Sequence, residues 1–237
     1  AGRNTKEILR DPINLAFGLG FPIALILLLS AIQASIPVTL FELQHLTPGI
    51  TVFGLSFITL FSATVIAKDR GSSLLQRLYT TPLTSADFIL GYTLPVIPIA
   101  VAQSAVCYLT AIVLGLPVTG NMLYAVASII PVSVLYIALG LLCGSILNDK
   151  QVGGVCGALL TNLSAWLSGV WFDLNLVGGS FKKIAHALPF VHAVELEKAL
   201  FNGNFEVAAS HIFPIILYSI LVTAVAIICF FKQMKKQ

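Results

Sequence analysis

Cysteine and histidine are the side chains best suited to nucleophilic or metal chemistry, and this chain has four of each. The cysteines are Cys107, Cys143, Cys156 and Cys229, and the histidines are His45, His186, His192 and His211. No CxxC pair occurs, and no two histidines have the spacing of a helical metal-binding pair. We therefore predict core cysteines and polar interfacial histidines, with neither a metal site nor a catalytic nucleophile.

Nucleotide chemistry has no recognisable site in the sequence either. A phosphate-binding loop of the form GxxxxGK[ST] surrounds nucleotide phosphates with backbone N–H groups and a lysine, and this motif is missing. We predict that the chain does not hydrolyse ATP by that route unaided and binds no cofactor.

The composition indicates the environment of the chain. Hydrophobic residues make up 57% of its 237 residues, charged residues make up 10%, and the mean hydropathy is +0.96. Soluble domains have about 25% charged residues, so most of this surface must face lipid. The net charge of +3 is too small to suggest a nucleic-acid partner.

Long uncharged runs predict an all-α membrane protein, because a helix needs about 20 residues to cross roughly 30 Å of hydrocarbon. We predict a single transmembrane domain over residues 1–237 with six spans. The spans are 15–36, 47–67, 88–116, 122–147, 151–172 and 208–231. Residues 88–148 carry no charge and are long enough for two spans, with Pro117, Gly120 and Asn121 marking the turn between them.

The distribution of lysine and arginine predicts the orientation. An even number of spans puts both termini on one side, and ten of these residues fall on that side against three on the other. Cytoplasmic loops are enriched in positive charge, so both termini and the 68–87 loop are expected in the cytoplasm. The three residues on the other side are Lys182, Lys183 and Lys198.

The loop KDRGSSLLQRLYTTPLTSAD, residues 68–87, concentrates charge between apolar spans. Four of its apolar residues share one face of a short predicted helix, and a proline ends that helix. These residues are Leu74, Leu75, Leu78, Tyr79 and Pro82. One interpretation is an interfacial helix that only closes a hairpin; the other is a docking element, because a simple connection is usually much shorter.

The stretch AKDRGSSLLQRLYTTPLTSADFILGY resembles the cytoplasmic loop of type-2 ATP-binding-cassette (ABC) exporter permeases. The resemblance implies that this loop is a coupling helix that docks on a separate ATPase subunit, which binds the ATP and Mg. The implied docking residues are Asp69, Arg70, Gly71, Leu74, Leu75, Arg77, Leu78, Tyr79 and Pro82. The family often has a Glu-rich cluster before the glycine, where this chain has only Lys68, Asp69 and Arg70.

Two further stretches are similar to this family. Residues 3–14 are similar to its N-terminal amphipathic connecting helix, and residues 166–200 to the end of span 5 and an outer-leaflet helical hairpin. The resemblance also implies a bacterial plasma membrane and a second permease, which is either another copy or a relative.

Two groups of residues are candidates for lining a transport pathway. Phe53, Phe57 and Phe61 form a stripe with a spacing of four residues on span 2, and Asn162 and Trp166 have the same spacing on span 5. Helix packing or lipid contact also explains the phenylalanines. An amide inside a span is costly unless it is paired or faces a polar cavity. Gly153 and Gly157 add a close-packing signal on span 5.

These observations favour a transport subunit of an ABC exporter for hydrophobic or amphipathic cargo, either a drug or a peptide. A polysaccharide or lipid exporter of the same family is the main alternative. A passive channel remains open, and ATP-independent flux would favour it. An intramembrane enzyme is disfavoured, because the span cores contain no Asp, Glu, Lys or Arg and no GxSxG motif.

Overall fold

The protein is helical wherever its structure is described. A computed structural model describes residues 2–12, 16–37, 40–71, 85–172 and 174–234, and these ranges contain no strand. The helices are α1 (Gly2–Leu9), α2 (Ala16–Ser35), α3 (Leu43–Gly71), α4 (Ser85–Thr93), α5 (Ile97–Val113), α6 (Asn121–Ile146), α7 (149–167), α8 (Leu174–Val177), α9 (Gly179–His186), α10 (Pro189–Phe201) and α11 (Phe205–Met234). The predicted all-α fold class is confirmed.

Five of the described helical stretches are long and apolar enough to cross a membrane. They are Ala16–Ser35, Leu43–Gly71, Ile89–Val113, Asn121–Ile146 and Phe205–Phe230. They match the predicted spans 1 to 4 and 6. The chain is therefore a multi-pass membrane protein.

The predicted span 151–172 corresponds to α7, which is not among these five stretches. α7 is helical from residue 149 to residue 167, and its middle part, Gly153–Leu160, is a π-helix. It begins with charged Asp149 and Lys150 and ends five residues before the predicted boundary. Three glycines and Asn162 further reduce its apolar character.

α3 is the central helix of the bundle. Every residue from Leu46 to Thr59 is buried, and α3 packs against α2, α5, α6, α7 and α10. A helix that is apolar on all sides is typical of such a position. Pro48 lies within the first two turns of α3, where a proline interrupts few backbone hydrogen bonds.

α3 and α6 approach closely through two glycines of α6. A Cβ atom at Gly140 would lie 2.6 Å from the carbonyl oxygen of Thr59, and one at Gly144 would lie 2.6 Å from the carbonyl oxygen of Ala63. The close-packing signal read at Gly153 does not correspond to such a contact, because a Cβ atom there meets nothing within 4 Å. Among the described helices, Gly140 and Gly144 of α6 make such a backbone contact instead.

The two ends of the bundle carry different connections. At one end, which we call the loop end, α3 stops at Gly71, α4 starts at Ser85, and α6 stops at Ile146. At the opposite end, which we call the turn end, α5 stops at Val113 and α6 starts at Asn121. Helices α8, α9 and α10 lie between α7 and α11 in the chain, and Gly203 after α10 lies against Asn121 at the turn end.

Candidate functional site

The loop end is held together by two adjacent charged residues of α3. The buried carboxylate of Asp69 accepts a hydrogen bond of 2.6 Å from the hydroxyl of Tyr92 on α4. The guanidinium of Arg70 donates to the carbonyl oxygens of Ser145 and Leu147, the latter at 2.7 Å. The last carbonyl groups of a helix lack intrahelical partners and carry partial negative charge, so Arg70 fastens α3 to the end of α6.

The predicted docking residues fall on both sides of the described boundary. Asp69, Arg70 and exposed Gly71 form the last residues of α3. Leu74, Leu75, Arg77, Leu78, Tyr79 and Pro82 lie outside the described residues. Asp69 and Arg70 bond within their own chain and fix the point from which the loop leaves. Contact of any of these nine residues with an ATPase stays a prediction.

The phenylalanine stripe of α3 is covered by α2. Phe53, Phe57 and Phe61 are between 3% and 9% exposed. The ring of Phe21 on α2 lies 5.3 Å from that of Phe57, and the ring of Phe61 leaves no room for a Cβ atom at Gly18. In this conformation the stripe is packed within the chain, with α2 on Phe57 and Phe61 and with Trp171 on Phe53, and it is not an open surface for a cargo molecule. The pathway role of the three residues stays a prediction.

The other two predicted pathway residues lie on an open face of α7. Asn162 and Trp166 are both exposed, and exposed Leu159 and Leu163 continue the same face. The side-chain amide of Asn162 donates to the carbonyl oxygen of Ala158 at 2.8 Å. The opposite side of α7 is held to α3 by a hydrogen bond of 2.7 Å between the hydroxyls of Ser164 and Ser56.

A cavity of about 670 Å³, which we call the vestibule, opens at the turn end. Its walls combine aromatic rings with titratable side chains, and none of the five predicted pathway residues lines it. The lining includes Phe41, His45, Trp171, Phe172, Lys182, His186, Glu195, Lys198 and His211. The ring of Trp171 lies 5.7 Å from that of Phe53 and so joins the vestibule to the phenylalanine stripe.

Three histidines, one each from α9, α10 and α11, come together beside the vestibule. The Nδ1 atoms of His192 and His211 are 2.9 Å apart, and Nε2 of His192 lies 3.1 Å from the carbonyl oxygen of His186. A carbonyl only accepts, so Nε2 of His192 carries the proton, and in the neutral pair Nδ1 of His211 donates to His192. Burial lowers the pKa of His192 below its ordinary value of 6.5.

Metal binding is not indicated for this cluster. No group of three histidine, cysteine, aspartate or glutamate side chains suited to a metal occurs within the described ranges. His192 and His211 are 19 residues apart, so their positions in the sequence do not indicate that they are neighbours. Only the packing of α10 against α11 brings them together.

The burial of Glu197 on α10 was also not predicted from the sequence. The sequence places it on a charged helix with Glu195 and Lys198, which form an ion pair of 3.4 Å. Glu197 instead faces the core and is 0% exposed. Glu195 and Glu197 are two residues apart, so their side chains point about 200° apart around the helix axis. The apolar residues four positions before and after Glu197, Ala193 and Phe201, mark the buried side of the helix.

Comparison with known families decides the identity of the chain. A sequence model described as "ABC-2 type transporter" matches residues 1–202. The chain belongs to the ABC-2 type transporter family. It is thus a permease subunit of an ABC transporter, a subunit that is generally not catalytic. No curated protein and no solved structure gives a significant match.

The family match covers α1 to α10 of the permease and includes residues 72–84. Helix α11 begins after the matched range. It confirms the resemblance derived from the loop sequence. The family implies an ABC ATPase as partner and lipid as surroundings.

Proposed function

We propose that this permease is the membrane subunit of an ATP-driven exporter, whose separate ATPase binds the ATP and Mg. It would cross a bacterial plasma membrane six times, with α7 as the fifth span and both termini in the cytoplasm. α1 would be the connecting helix, and α8 to α10 would form the outer-leaflet hairpin. The observation that carries the proposal is that the buried central helix α3 ends at Gly71, directly before residues 72–84 of the motif that resembles a coupling helix.

The loop end supports the transmission of force from an ATPase. A movement of residues 72–84 reaches Gly71 and then Arg70, whose hydrogen bonds pass it to α6. Asp69 passes the same movement to α4 through Tyr92. Because α3 packs against α2, α5, α6, α7 and α10, a tilt of α3 would shift most of the bundle.

A second permease is proposed to cover the open face of α7. A polar amide such as that of Asn162 is costly in hydrocarbon, and the exposed indole of Trp166 beside it suits a protein contact or a water-filled pathway. A second copy, or a related permease, would place two such faces around a shared pathway.

Hydrophobic or amphipathic cargo suits the surfaces available. Phe53, Phe57 and Phe61 would supply an apolar wall once α2 and Trp171 moved away from them. The vestibule adds aromatic rings beside cationic side chains at the proposed exit. Drugs and amphipathic peptides combine these two characters.

The proposal is tested by reconstituting the permease with its ATPase in lipid vesicles and adding a fluorescent amphipathic peptide. We expect peptide movement that requires ATP and stops when the catalytic glutamate of the ATPase is replaced by glutamine. Flux without ATP would support a passive channel instead. Movement of a lipid-linked sugar, but not of peptide or dye, would favour the polysaccharide branch.

A further inference from the structure

Glu197 is a buried carboxyl group with hydroxyl partners on two other helices. Its Oε1 accepts from the hydroxyl of Tyr108 on α5 at 2.9 Å, and its Oε2 lies 2.6 Å from Oγ of Ser128 on α6. The ring of Tyr108 also stacks on Phe201 of α10 at 6.0 Å. These contacts tie α10 to the turn-end halves of α5 and α6.

The hydrogen bonds around Ser128 favour a proton on Glu197. Oγ of Ser128 lies 2.7 Å from the carbonyl oxygen of Ala125, which can only accept. A serine hydroxyl has one proton to donate, so it cannot fully satisfy both that carbonyl and an ionised Glu197. A neutral Glu197 solves this, because its own O–H donates to Oγ of Ser128 while Ser128 donates to Ala125.

Among the residues that the structure describes, no cationic partner of Glu197 is found on the helices packed around it. From α5, Tyr108 and Cys107 face it, and from α6, Ser128 does. On α10 itself Lys198 bonds with Glu195, and His192 bonds with His211 of α11 and the backbone of α9. The packed stretches 46–67 of α3 and 151–167 of α7 contain no charged residue.

We propose that Glu197 is a proton-binding site and that its neutral form latches α10 to α5 and α6. Ionisation would remove the O–H donor and leave a negative charge among apolar groups, which is costly without a partner. Since Glu195 and Lys198 on the same helix line the vestibule, release of α10 would change the shape of the proposed exit.

The electrostatics agree with this assignment. Burial raises the pKa of Glu197 from its ordinary value of 4.5 to about 8, although the hydrogen bonds of Ser128 and Tyr108 lower it. The folded state therefore keeps a proton that the unfolded chain loses. The contribution to stability is fully present below pH 4.5 and is lost as the pH rises towards about 8.

Infrared spectroscopy tests the proton directly. The difference spectrum between the wild-type permease and Glu197→Gln at about pH 6 should show the carbonyl stretch of one protonated carboxylic acid, which disappears with a midpoint near pH 8. Glu195→Gln is the matched control, because Glu195 is partly exposed and ion-paired, and it should show no such band. An ionised Glu197 at about pH 6 would overturn the proposal.

Thermal unfolding in detergent gives an independent measurement. Between about pH 6 and pH 8, the Tm of the wild type should fall by roughly 5–10 °C relative to Glu197→Gln. Glutamine preserves both contacts, since its carbonyl accepts from Tyr108 and its NH₂ donates to Ser128.

Tyr108→Phe removes a hydrogen bond that lowers the pKa of Glu197, so it should move the midpoint of the Tm change to higher pH. A Tm difference that is independent of pH would contradict proton binding.

Amide hydrogen exchange tests the latch itself. At about pH 8.5, above the pKa of Glu197, the backbone N–H groups of residues 190–201 should exchange faster in the wild type than in Glu197→Gln. At about pH 6 the two proteins should be equal. Comparing the proteins at the same pH cancels the intrinsic pH dependence of exchange. Equal exchange at both values would show that Glu197 holds a proton without latching α10. None of these measurements requires an ATPase or a cargo.

Discussion

At the scale of single residues, Arg70 has a structural task that its position in a docking loop does not suggest. Its guanidinium meets carbonyl groups at the end of α6. A hydrogen bond to a charged group of this kind contributes about 1.5–3 kcal/mol to the free energy of unfolding. The residue therefore fixes the base of the loop before any ATPase is bound.

We predict that Arg70→Ala lowers the free energy of unfolding by about 1–3 kcal/mol, because two or more carbonyl groups of α6 lose their donor. Thermal unfolding in detergent measures this change. Lys68→Ala, two residues earlier and exposed, is the matched control and should behave like the wild type. Equal stability of Arg70→Ala and Lys68→Ala would show that the Arg70 contacts do not hold α3 to α6.

The phenylalanine stripe gives a second prediction at this scale. Phe53→Leu and Phe57→Leu keep an apolar side chain but lose the ring that contacts Phe21 or Trp171. We expect the ratio of transport rates for two cargoes of different size to change while binding of the ATPase stays the same. Phe190→Leu, which contacts Tyr136 in the core, is the control for packing alone. If the ratio of transport rates were the same in Phe53→Leu, Phe57→Leu and Phe190→Leu, the phenylalanine stripe would serve helix packing and not cargo selection.

At the scale of helices, the contact of α3 with α6 depends on small residues. The atoms that a side chain at Gly140 or Gly144 would meet include backbone carbonyl oxygens of α3. Backbone cannot rotate away as a long side chain can. The two helices would have to separate.

We therefore expect Gly140→Val to destabilise the bundle by roughly 1–3 kcal/mol or more, as overpacking does in other cores. Gly153→Val is the control, since a Cβ atom there meets nothing within 4 Å. Yield, monodispersity in size-exclusion chromatography and Tm report the effect. A stable Gly140→Val protein with destabilised Gly153→Val would place the critical helix contact on α7, as the sequence pattern suggested.

Hydrophobic length was sufficient to predict five membrane-spanning helices, because each is a long uncharged run. It was insufficient for α7, where glycines, Asn162 and a charged start lower the apolar character. Which side of a span faces protein could not be predicted, since spans such as α3 are apolar all round. The burial of Phe53 and the exposure of Trp166 are therefore known only from the fold.

In the candidate site, too, only the features that are local in sequence could be predicted. The loop motif is local, so its resemblance to a family was readable and the family match confirms it. The histidine pair and the Glu197 cluster depend on contacts between residues 19 to 89 positions apart. Only the spacing of Glu197 against Ala193 and Phe201 offered a signal in the sequence.

At the scale of the whole molecule, the loop end is the place where we propose that an ATPase acts. The described structure supplies a fixed base for the loop, through Asp69 and Arg70, and a buried central helix that continues from it. The residues proposed for the docking face, Leu74, Leu75, Leu78 and Tyr79, follow this base in sequence. Substitutions there should leave the spans folded.

The most direct measurement is co-purification of the permease with a candidate ABC ATPase after joint expression. We expect the wild type and Lys183→Glu, an exposed charge reversal outside the loop, to elute with the ATPase. Arg77→Glu and Tyr79→Asp should elute alone with unchanged Tm, because each places a negative charge on the docking segment. Elution of both loop variants with the ATPase, together with normal ATP-dependent transport, would show that residues 68–87 do not connect this permease to its ATPase.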